Sequence, residues 1–154
     1  MKANVLKRLM NIWPPYLGAG IKVVKIAEDY REVVVELRQK WYNRNYVGSH
    51  FGGSLYAMVD PFYMLMLINI LGNQYVVWDK YASIDFVAPG RGTVKARFAL
   101  TDAQVEMIKQ ETAACDKYIA ELPVDIINEQ GEVVAKVTKH LYVRLKKRVC
   151  LPEE

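Results

Sequence analysis

The sequence has 154 residues and a mass of 17.7 kDa, the size of one compact folding unit. Hydrophobic residues make up 52% and charged residues 25%, with a mean hydropathy of -0.02, which excludes a disordered, collagen-like or low-complexity chain. The 21 lysines and arginines exceed the 17 aspartates and glutamates, and the net charge of +4 permits an anionic ligand without requiring nucleic acid. We therefore predict a single domain over residues 1–154.

The N-terminal segment and the cysteines predict a cytoplasmic protein. Lys7 and Arg8 interrupt the first apolar stretch, and no small-residue cleavage site follows it, so the segment does not resemble a signal peptide. Cys115 and Cys150 are far apart and form no CxxC pair, which indicates neither a zinc site nor a dense disulfide framework. This cysteine usage favours a reducing compartment, and no metal is expected.

The first part of the chain predicts a leading helix and a β-hairpin. The helix covers about residues 1–13, and it is expected to stop at Pro14 because a residue that precedes proline leaves the helical region. Residues 20–27 and 32–38 are rich in β-branched residues, and in the second run every other residue is apolar. Such a hairpin has one face toward solvent.

A glycine-rich loop over residues 41–53 leads into the most apolar segment of the chain. Ser54 is placed to cap a helix over about residues 54–72. This helix is apolar almost all round, so it must be enclosed on most sides, and in a chain with many strands a curved sheet is the natural enclosure. Asp60 and Pro61 interrupt the apolar run and disfavour a membrane span.

The remaining chain predicts four strands and a short helix. The strands are expected over residues 75–87, 93–100, 118–128 and 132–146. Thr101 and Gln104 match the capping-box pattern of a helix that runs to about Thr112. Pro123 cannot donate a ladder hydrogen bond and indicates an edge or a bulge. The order of elements predicts an α+β fold with one antiparallel sheet around a long central helix.

Two stretches resemble the hotdog-fold thioesterases, specifically the phenylacetate-degradation type and an uncharacterised thioesterase-like branch close to it. The first stretch, residues 45–55 (NYVGSHFGGSL), is similar to the family's Asn, Gly and His-Gly-Gly signature, and Asp60 follows seven residues after the second glycine. The second, residues 83–96, resembles the family's strand, Phe-x-x-Pro turn and returning strand. The resemblance covers most of the chain. It implies a hotdog fold and an acyl-CoA thioesterase that works as a homodimer or a dimer of dimers, with each site between subunits.

The signature differs from the family at one position. Phe51 precedes the two glycines where the family has histidine, and His50 lies one residue earlier. In the phenylacetate-type branch the acid on the helix is the general base or nucleophile, and the resemblance places this role on Asp60. His50 and Phe51 are candidates for substrate binding, and no catalytic role is carried over to His50.

Asp60 is also unusual on physical grounds. It lies about one and a half turns inside an apolar helix, where an ionised carboxylate is costly to bury without partners. Its predicted role is either catalytic or structural, as the partner of a loop amide or of another subunit. Tyr56 and Tyr63 lie four and three residues away, so both are expected near it. Tyr63 is a candidate for substrate binding, although aromatic residues at this spacing are also typical of a core.

The residues before the central helix are candidates for the carbonyl side of the chemistry. Thioester hydrolysis needs an activated water or nucleophile, and donors directed at the developing oxyanion. We predict that Gly53 polarises the carbonyl, with Gly52 and Ser54 binding substrate beside it, because glycine permits close approach and a helix N-terminus offers free amides. A plain helix entrance is the alternative. Asn45 either orients a water or the substrate, or is a turn residue.

Coenzyme A is expected only as part of the substrate, with no separate cofactor. Arg91, in a Pro-Gly-Arg-Gly turn, is a candidate for a nucleotide phosphate. Residues 136–148 contain six lysines and arginines and no acid, and this basic segment either receives such a phosphate or is solvated. Within it, alternation places His140 on a polar strand face. The partners expected are a second copy of the chain and an acyl-CoA, with no nucleic acid and no membrane.

Two other functions stay open at this point. The first is a non-catalytic module that binds an acyl ligand or serves assembly on the same scaffold, since a fold does not imply a function. The second is a hydratase, for which the expected pair of Asp and His on a shared loop is not visible in the sequence.

Overall fold

The computed structural model describes residues 1–146, so Cys150 and the last basic residues of the predicted basic segment, Lys147 and Arg148, lie outside it. Its strands are β1 (Ile21–Ile26), β2 (Glu32–Arg38), β3 (Tyr75–Phe86), β4 (Thr93–Ala99), β5 (Tyr118–Ile127) and β6 (Val133–Leu145). Its helices are α1 (Ala3–Ile12), α2 (Pro14–Ala19), α3 (Gly52–Ala57), α4 (Phe62–Leu71) and α5 (Asp102–Glu111). The strands form one antiparallel sheet in the order β1-β2-β4-β5-β6-β3. This confirms the predicted α+β class.

The core lies between one face of the sheet and the helices α3 and α4. Alternate residues of the strands are buried, because successive side chains of a strand point to opposite faces of the sheet. Phe98 of β4 contacts Phe62 and Tyr63 of α4, at ring-centroid distances of 5.2 and 5.1 Å. Each fully buried side chain of this size stabilises the fold by about 1.5–3 kcal/mol.

The central helix differs from its prediction over residues 54–72. It is split into α3 and α4, and it begins two residues earlier, with Phe51 rather than Ser54 at the N-cap. Pro61 is the physical reason for the break, because proline has no N–H to donate to the carbonyl four residues earlier. That carbonyl, of Ala57, instead accepts a hydrogen bond from the Tyr16 hydroxyl at 3.1 Å.

The segment Gly52–Leu71 is long and apolar enough to cross a membrane, with a mean hydropathy of 1.5 over its most apolar window. Half of that window is buried inside the fold. We therefore interpret α3 and α4 as the core helices of this sheet.

The leading helix ends at Ile12, before Pro14 as predicted, and Pro14 begins a second helix, α2, that was not predicted. Proline suits the first turn of a helix, where its missing N–H would have no partner. Asn11 anchors α1 to the outermost strand, since its side chain bonds both the N–H and the carbonyl of Val23 at 2.8 and 3.0 Å.

The other predicted elements agree with the structure to within one residue at each end. The capping box is present, with the Gln104 N–H donating to Thr101 Oγ1 at 3.2 Å and the Thr101 N–H donating to Gln104 Oε1 at 2.9 Å. β5 pairs with β6 along its length but with β4 only near Ile127. Pro123 therefore lies where no strand pairs on the β4 side, which confirms the predicted edge character.

Gly20 and Gly18 form a matched test of the junction between α2 and β1. Gly20 has a φ of +80°, and a Cβ there would lie 2.5 Å from Asn43 Nδ2, whereas a Cβ on Gly18 would meet nothing within 4 Å. We expect Gly20→Ala to lower the free energy of unfolding by about 2 kcal/mol, and Gly18→Ala, inside a helix, to raise it by about 0.5 kcal/mol. Urea denaturation measures both, and equal effects would contradict the assignment.

Candidate functional site

Asn45 holds the loop before α3 in one shape. Its Oδ1 accepts hydrogen bonds from the N–H groups of Val47 and Ser49 at 3.1 and 3.0 Å. Its Nδ2 donates to Ser49 Oγ at 2.9 Å and to the His50 carbonyl at 3.2 Å. The side chain is thus used within the loop, and its predicted contact with water or substrate stays a prediction.

His50 joins this loop to the turn between β3 and β4. Its ring is buried, with Nε2 2.8 Å from the Gly92 carbonyl, and its N–H donates to the Gly90 carbonyl at 2.8 Å. Burial lowers the pKa of His50, although the bond to Gly92 opposes the shift, so the ring is neutral at pH 7. Nε2 then carries the hydrogen, and Nδ1 is a buried acceptor without a donor among residues 1–146.

A cavity of about 340 Å³ opens between the loop, the start of α3 and residues 86–90. Three predicted site residues, Asn45, His50 and Gly52, line it. Arg91 is exposed in the turn next to this lining. The structure thus brings together the two stretches that carry the family resemblance.

The two glycines at the start of α3 lie against aromatic rings. A Cβ on Gly52 would lie 3.0 Å from the Phe86 ring, and a Cβ on Gly53 would collide with the Phe51 ring. The first N–H groups of a helix have no partner within it, and no acceptor for those of Gly52 and Gly53 is found in residues 1–146. The N–H of Ser54 donates to the Phe51 carbonyl at 3.0 Å. Free amides are thus present at the predicted oxyanion position.

Asp60 belongs to a second group of residues, centred on Lys139 of β6. Lys139 is only 1% exposed, and its Nζ lies 3.0 Å from Asp60 Oδ1 and 3.1 Å from Asp79 Oδ1. The Tyr56 hydroxyl lies 3.4 Å from the same Nζ. We call Tyr56, Asp60, Asp79 and Lys139 the lysine–carboxylate cluster.

Charge and burial set the protonation of this cluster. Burial acts to lower the pKa of Lys139, but the hydrogen bond and charge of Asp60 and the charge of Asp79 outweigh it, and the pKa is raised. Lys139 is therefore an ammonium at pH 7. Burial raises the pKa of Asp79 against the opposing effect of Lys139, and burial and the neighbouring Asp60 raise the pKa of Tyr56.

Exposure distinguishes the two carboxylates. The side chain of Asp60 is 49% exposed and that of Asp79 is 23% exposed. Asp79 Oδ1 forms only the ion pair, because no donor in residues 1–146 meets hydrogen-bond geometry with it. Within the lysine–carboxylate cluster, Asp60 is thus the carboxylate that reaches solvent, and the buried Lys139 ammonium holds its Oδ1 from the core side.

Sequence reasoning missed Lys139 and Asp79. Lys139 was assigned to the predicted basic segment, but its side chain points into the core, on the opposite face from Lys136. The signal was available, since alternation places Lys139 on the apolar face between Val137 and Leu141. Alternation from the buried Val77 also places Asp79 on the core face, but nothing local shows that it lies beside Lys139, since that depends on the pairing of Asp79 with Leu141 of β6.

Tyr63 lies apart from both groups. It is buried, and its hydroxyl donates to the Pro123 carbonyl at 2.6 Å. Burial raises the pKa of Tyr63 to about 12. In this chain it is a core residue, and its predicted contact with substrate stays a prediction. Among residues 1–146, no three His, Cys, Asp or Glu side chains are placed to hold a metal ion.

The two halves of the predicted site are separated in one chain. Gly53 and Asp60 are seven residues apart, which is about 10 Å along a helix. Attack on a carbonyl carbon needs a nucleophile about 3–3.5 Å away. A carbonyl bound at Gly53 is thus out of direct reach of Asp60 of the same chain.

Comparison with known proteins identifies the family and the fold. The family model described as a domain of unknown function, DUF4442, matches residues 2–143. A search of curated proteins found no match to the sequence.

Solved structures of similar fold include three from bacteria. A Pseudomonas aeruginosa protein of unknown function, described as a probable thioesterase, has a TM-score of 0.82 at 17% identity over 95% of this chain and 97% of its own. A Haemophilus influenzae thioesterase has a TM-score of 0.68 at 16% identity over 94% and 92%. The Escherichia coli PaaI protein, from the phenylacetic acid degradation operon, has a TM-score of 0.60 at 16% identity over 94% and 91%. These likenesses confirm the predicted hotdog fold.

Replacing Lys139 tests whether the cluster stabilises the fold. Lys139→Met removes the ammonium and leaves the mostly buried Asp79 and the half-exposed Asp60 without their opposite charge, so we expect the free energy of unfolding at pH 7 to fall by about 3 kcal/mol. The carboxylates then bind protons more readily in the folded state, so the deficit should shrink from pH 7 to pH 4. Urea denaturation of Lys136→Met, on the outer face of β6, is the control, with an expected change below about 0.5 kcal/mol. A Lys139→Met deficit as small as the control's would contradict the prediction.

Proposed function

The chain belongs to the DUF4442 family, and we propose that it is a thioesterase that hydrolyses the thioester bond of an acyl-CoA. One observation carries the proposal. Asp60 is a half-exposed carboxylate at a break in the core helix, anchored by a buried ammonium at 3.0 Å. A carboxylate held through one oxygen by a fixed cation and open to solvent can accept a proton from water through its other oxygen, as a general base must.

The proposed chemistry divides the cluster by role. Lys139 and Asp79 position Asp60, while the part of the Asp60 carboxylate not held by Lys139 accepts a proton from water. The resulting hydroxide adds to the thioester carbonyl carbon, and the oxyanion is stabilised by the free amides of Gly52 and Gly53. Collapse of this intermediate breaks the carbon–sulfur bond, and the leaving thiolate takes the proton from Asp60, which returns to its carboxylate form.

A second copy of the chain would complete this site. The free edge of β3 runs past both halves, since Asp79 belongs to the cluster and Phe86 lines the cavity. Pairing of two β3 edges would place the glycine amides of one copy near Asp60 of the other. Phe51, Phe86 and Val87 are all more than half exposed around the cavity, and such a partner would cover them. We therefore propose a homodimer, or a dimer of dimers, as the active form.

The surroundings of the cavity support the proposed substrate class. Arg91 is exposed beside it and is the proposed contact for a phosphate of coenzyme A. Lys139, although part of the predicted basic segment, is not available to a phosphate, because it is buried and paired with Asp60 and Asp79. Coenzyme A enters only as part of the substrate, and a cytoplasmic location stays a prediction.

A binding module without catalysis is the second candidate, and Phe51 favours it. The Phe51 ring lies against Gly53, where the proposed carbonyl would approach. In this alternative the cavity holds an acyl or coenzyme A group, and the cluster serves stability alone.

Replacing Asp60 tests the chemistry. We expect wild-type protein to release free thiol from at least one member of a panel of short, medium, long and aromatic acyl-CoAs, and Asp60→Asn to lower kcat/KM by about a hundredfold or more. Asp125→Asn, on the exposed face of β5 and away from the β3 edge, is the matched control and should keep wild-type activity. Tight acyl-CoA binding without turnover by the wild type would instead support the binding module.

Mixing two inactive variants tests the shared site. Gly53→Val blocks the glycine amides and Asp60→Asn removes the base, so each variant alone should be inactive. In a re-associated equal mixture, half of the dimers are mixed and one of their two sites is intact, which predicts about a quarter of wild-type activity. Sites built within one chain would show no recovery.

A further inference from the structure

The helices α1 and α2 expose a continuous row of large apolar side chains. Val5, Leu9 and Ile12 lie on one face of α1, since they are four and three residues apart. Trp13 and Leu17 continue the row into α2. All five are between 45% and 66% exposed. We call these five residues the α1–α2 row.

The rest of the fold holds this row outward. The opposite face of α1 packs on the core through buried Ala3 and half-buried Leu6 and Met10. Asn11 is bonded to both backbone groups of Val23, and the Tyr30 hydroxyl donates to the Met1 carbonyl at 2.9 Å. Rotation of α1 to hide the row would break these contacts.

The row lies in a basic part of the chain. Residues 1–27 contain five lysines and arginines and no acid. Lys25 pairs with Glu32, but no carboxylate in residues 1–146 forms an ion pair with Lys2, Lys7, Arg8 or Lys22. The apolar surface is thus bordered by uncompensated positive charge.

A cavity of about 260 Å³ joins the row to further cations. Leu17 of the row lines it, together with Lys22, Arg38, Lys40 and Tyr42. Arg38 is partly compensated by Glu36 at 2.9 Å, and the Lys40 ammonium lies 5.8 Å from the Tyr42 ring centroid. The arrangement suits a phosphate group whose attached chain continues along the row.

We propose that this face binds the surface of a membrane that contains anionic lipids. The α1–α2 row would enter the boundary of the acyl chains, and the basic residues would lie at the lipid phosphates. A second copy of the same face is disfavoured, because it would bring like charges together. The proposal replaces the expectation that no membrane is a partner, which rested on the interrupted central helix.

The position of the face is compatible with the proposed dimer. α1 packs on β1, at the opposite end of the sheet from β3. Two copies joined through β3 would therefore leave both faces open. The inference does not depend on thioester hydrolysis, and binding can be measured without turnover.

Sedimentation with lipid vesicles tests the proposal. We expect the full-length protein to bind vesicles of phosphatidylcholine with added phosphatidylglycerol at least about tenfold more tightly than vesicles of phosphatidylcholine alone. The double variant Leu9→Gln with Ile12→Gln should lose about tenfold or more in affinity, because it replaces two exposed apolar side chains that would be buried in the lipid. Val47→Gln, at a more exposed apolar position in the loop before α3, is the control and should bind as wild type.

Fluorescence gives a second measurement on protein with an intact row. Anionic vesicles should shift the tryptophan emission of the wild type to shorter wavelength, and Trp13→Phe should abolish the shift while Trp78→Phe, on β3 at the other end of the sheet, keeps it. Equal binding to both vesicle types would overturn the proposal, as would wild-type affinity in the Leu9 and Ile12 variant. A change of oligomeric state in that variant, measured by light scattering, would also overturn it and assign the row to a subunit interface.

Discussion

The burial of the Lys139 ammonium constrains the arrangement of every element around Asp60. A buried cation costs several kcal/mol unless opposite charges lie close to it. Lys139 obtains them from two distant parts of the chain, Asp60 at the helix break and Asp79 on the edge strand. The helix break and β3 must therefore both lie where their carboxylates reach the Lys139 ammonium on β6. The same contacts that satisfy the lysine present Asp60 to solvent.

The break in the core helix at Pro61 lies next to Asp60 in the chain. It frees the Ala57 carbonyl, which the buried Tyr16 hydroxyl satisfies. Burial raises the pKa of Tyr16, and the nearby charge of Asp60 adds to the shift, so this hydroxyl remains a donor. Through Tyr16, α2 is tied to the helix break, and through Asn11 and Val23, α1 is tied to the edge of the sheet.

The two ends of the sheet carry different surfaces. At the β3 end, the cavity, the glycine amides and the lysine–carboxylate cluster lie along one unpaired strand edge, and an active site shared with a second copy is proposed there. At the β1 end, the exposed apolar row and the basic residues face away from the core. In the proposed arrangement, one end of each chain is used for chemistry and the other for attachment to a lipid surface.

Local chemistry explains what could be predicted from the sequence. The strands follow from alternation, the capping box of α5 from Thr101 and Gln104, and the candidate oxyanion position from the glycines before α3, because these signals act between residues close in the chain. The family resemblance led to Asp60 as a candidate. Pro61 can be seen in the sequence, but the sequence does not show that the helix divides there into two. The division depends on the distant Tyr16 hydroxyl, which satisfies the freed Ala57 carbonyl.

The partners of Asp60 were decided only by tertiary structure. Alternation alone places Lys139 on the apolar face of β6, but it does not say which acids compensate the charge. That depends on the register of β3 against β6, which pairs Asp79 with Leu141, two residues from Lys139, and on the position of the helix break that carries Asp60. Contacts between residues about sixty and eighty positions apart along the chain leave no local pattern to read.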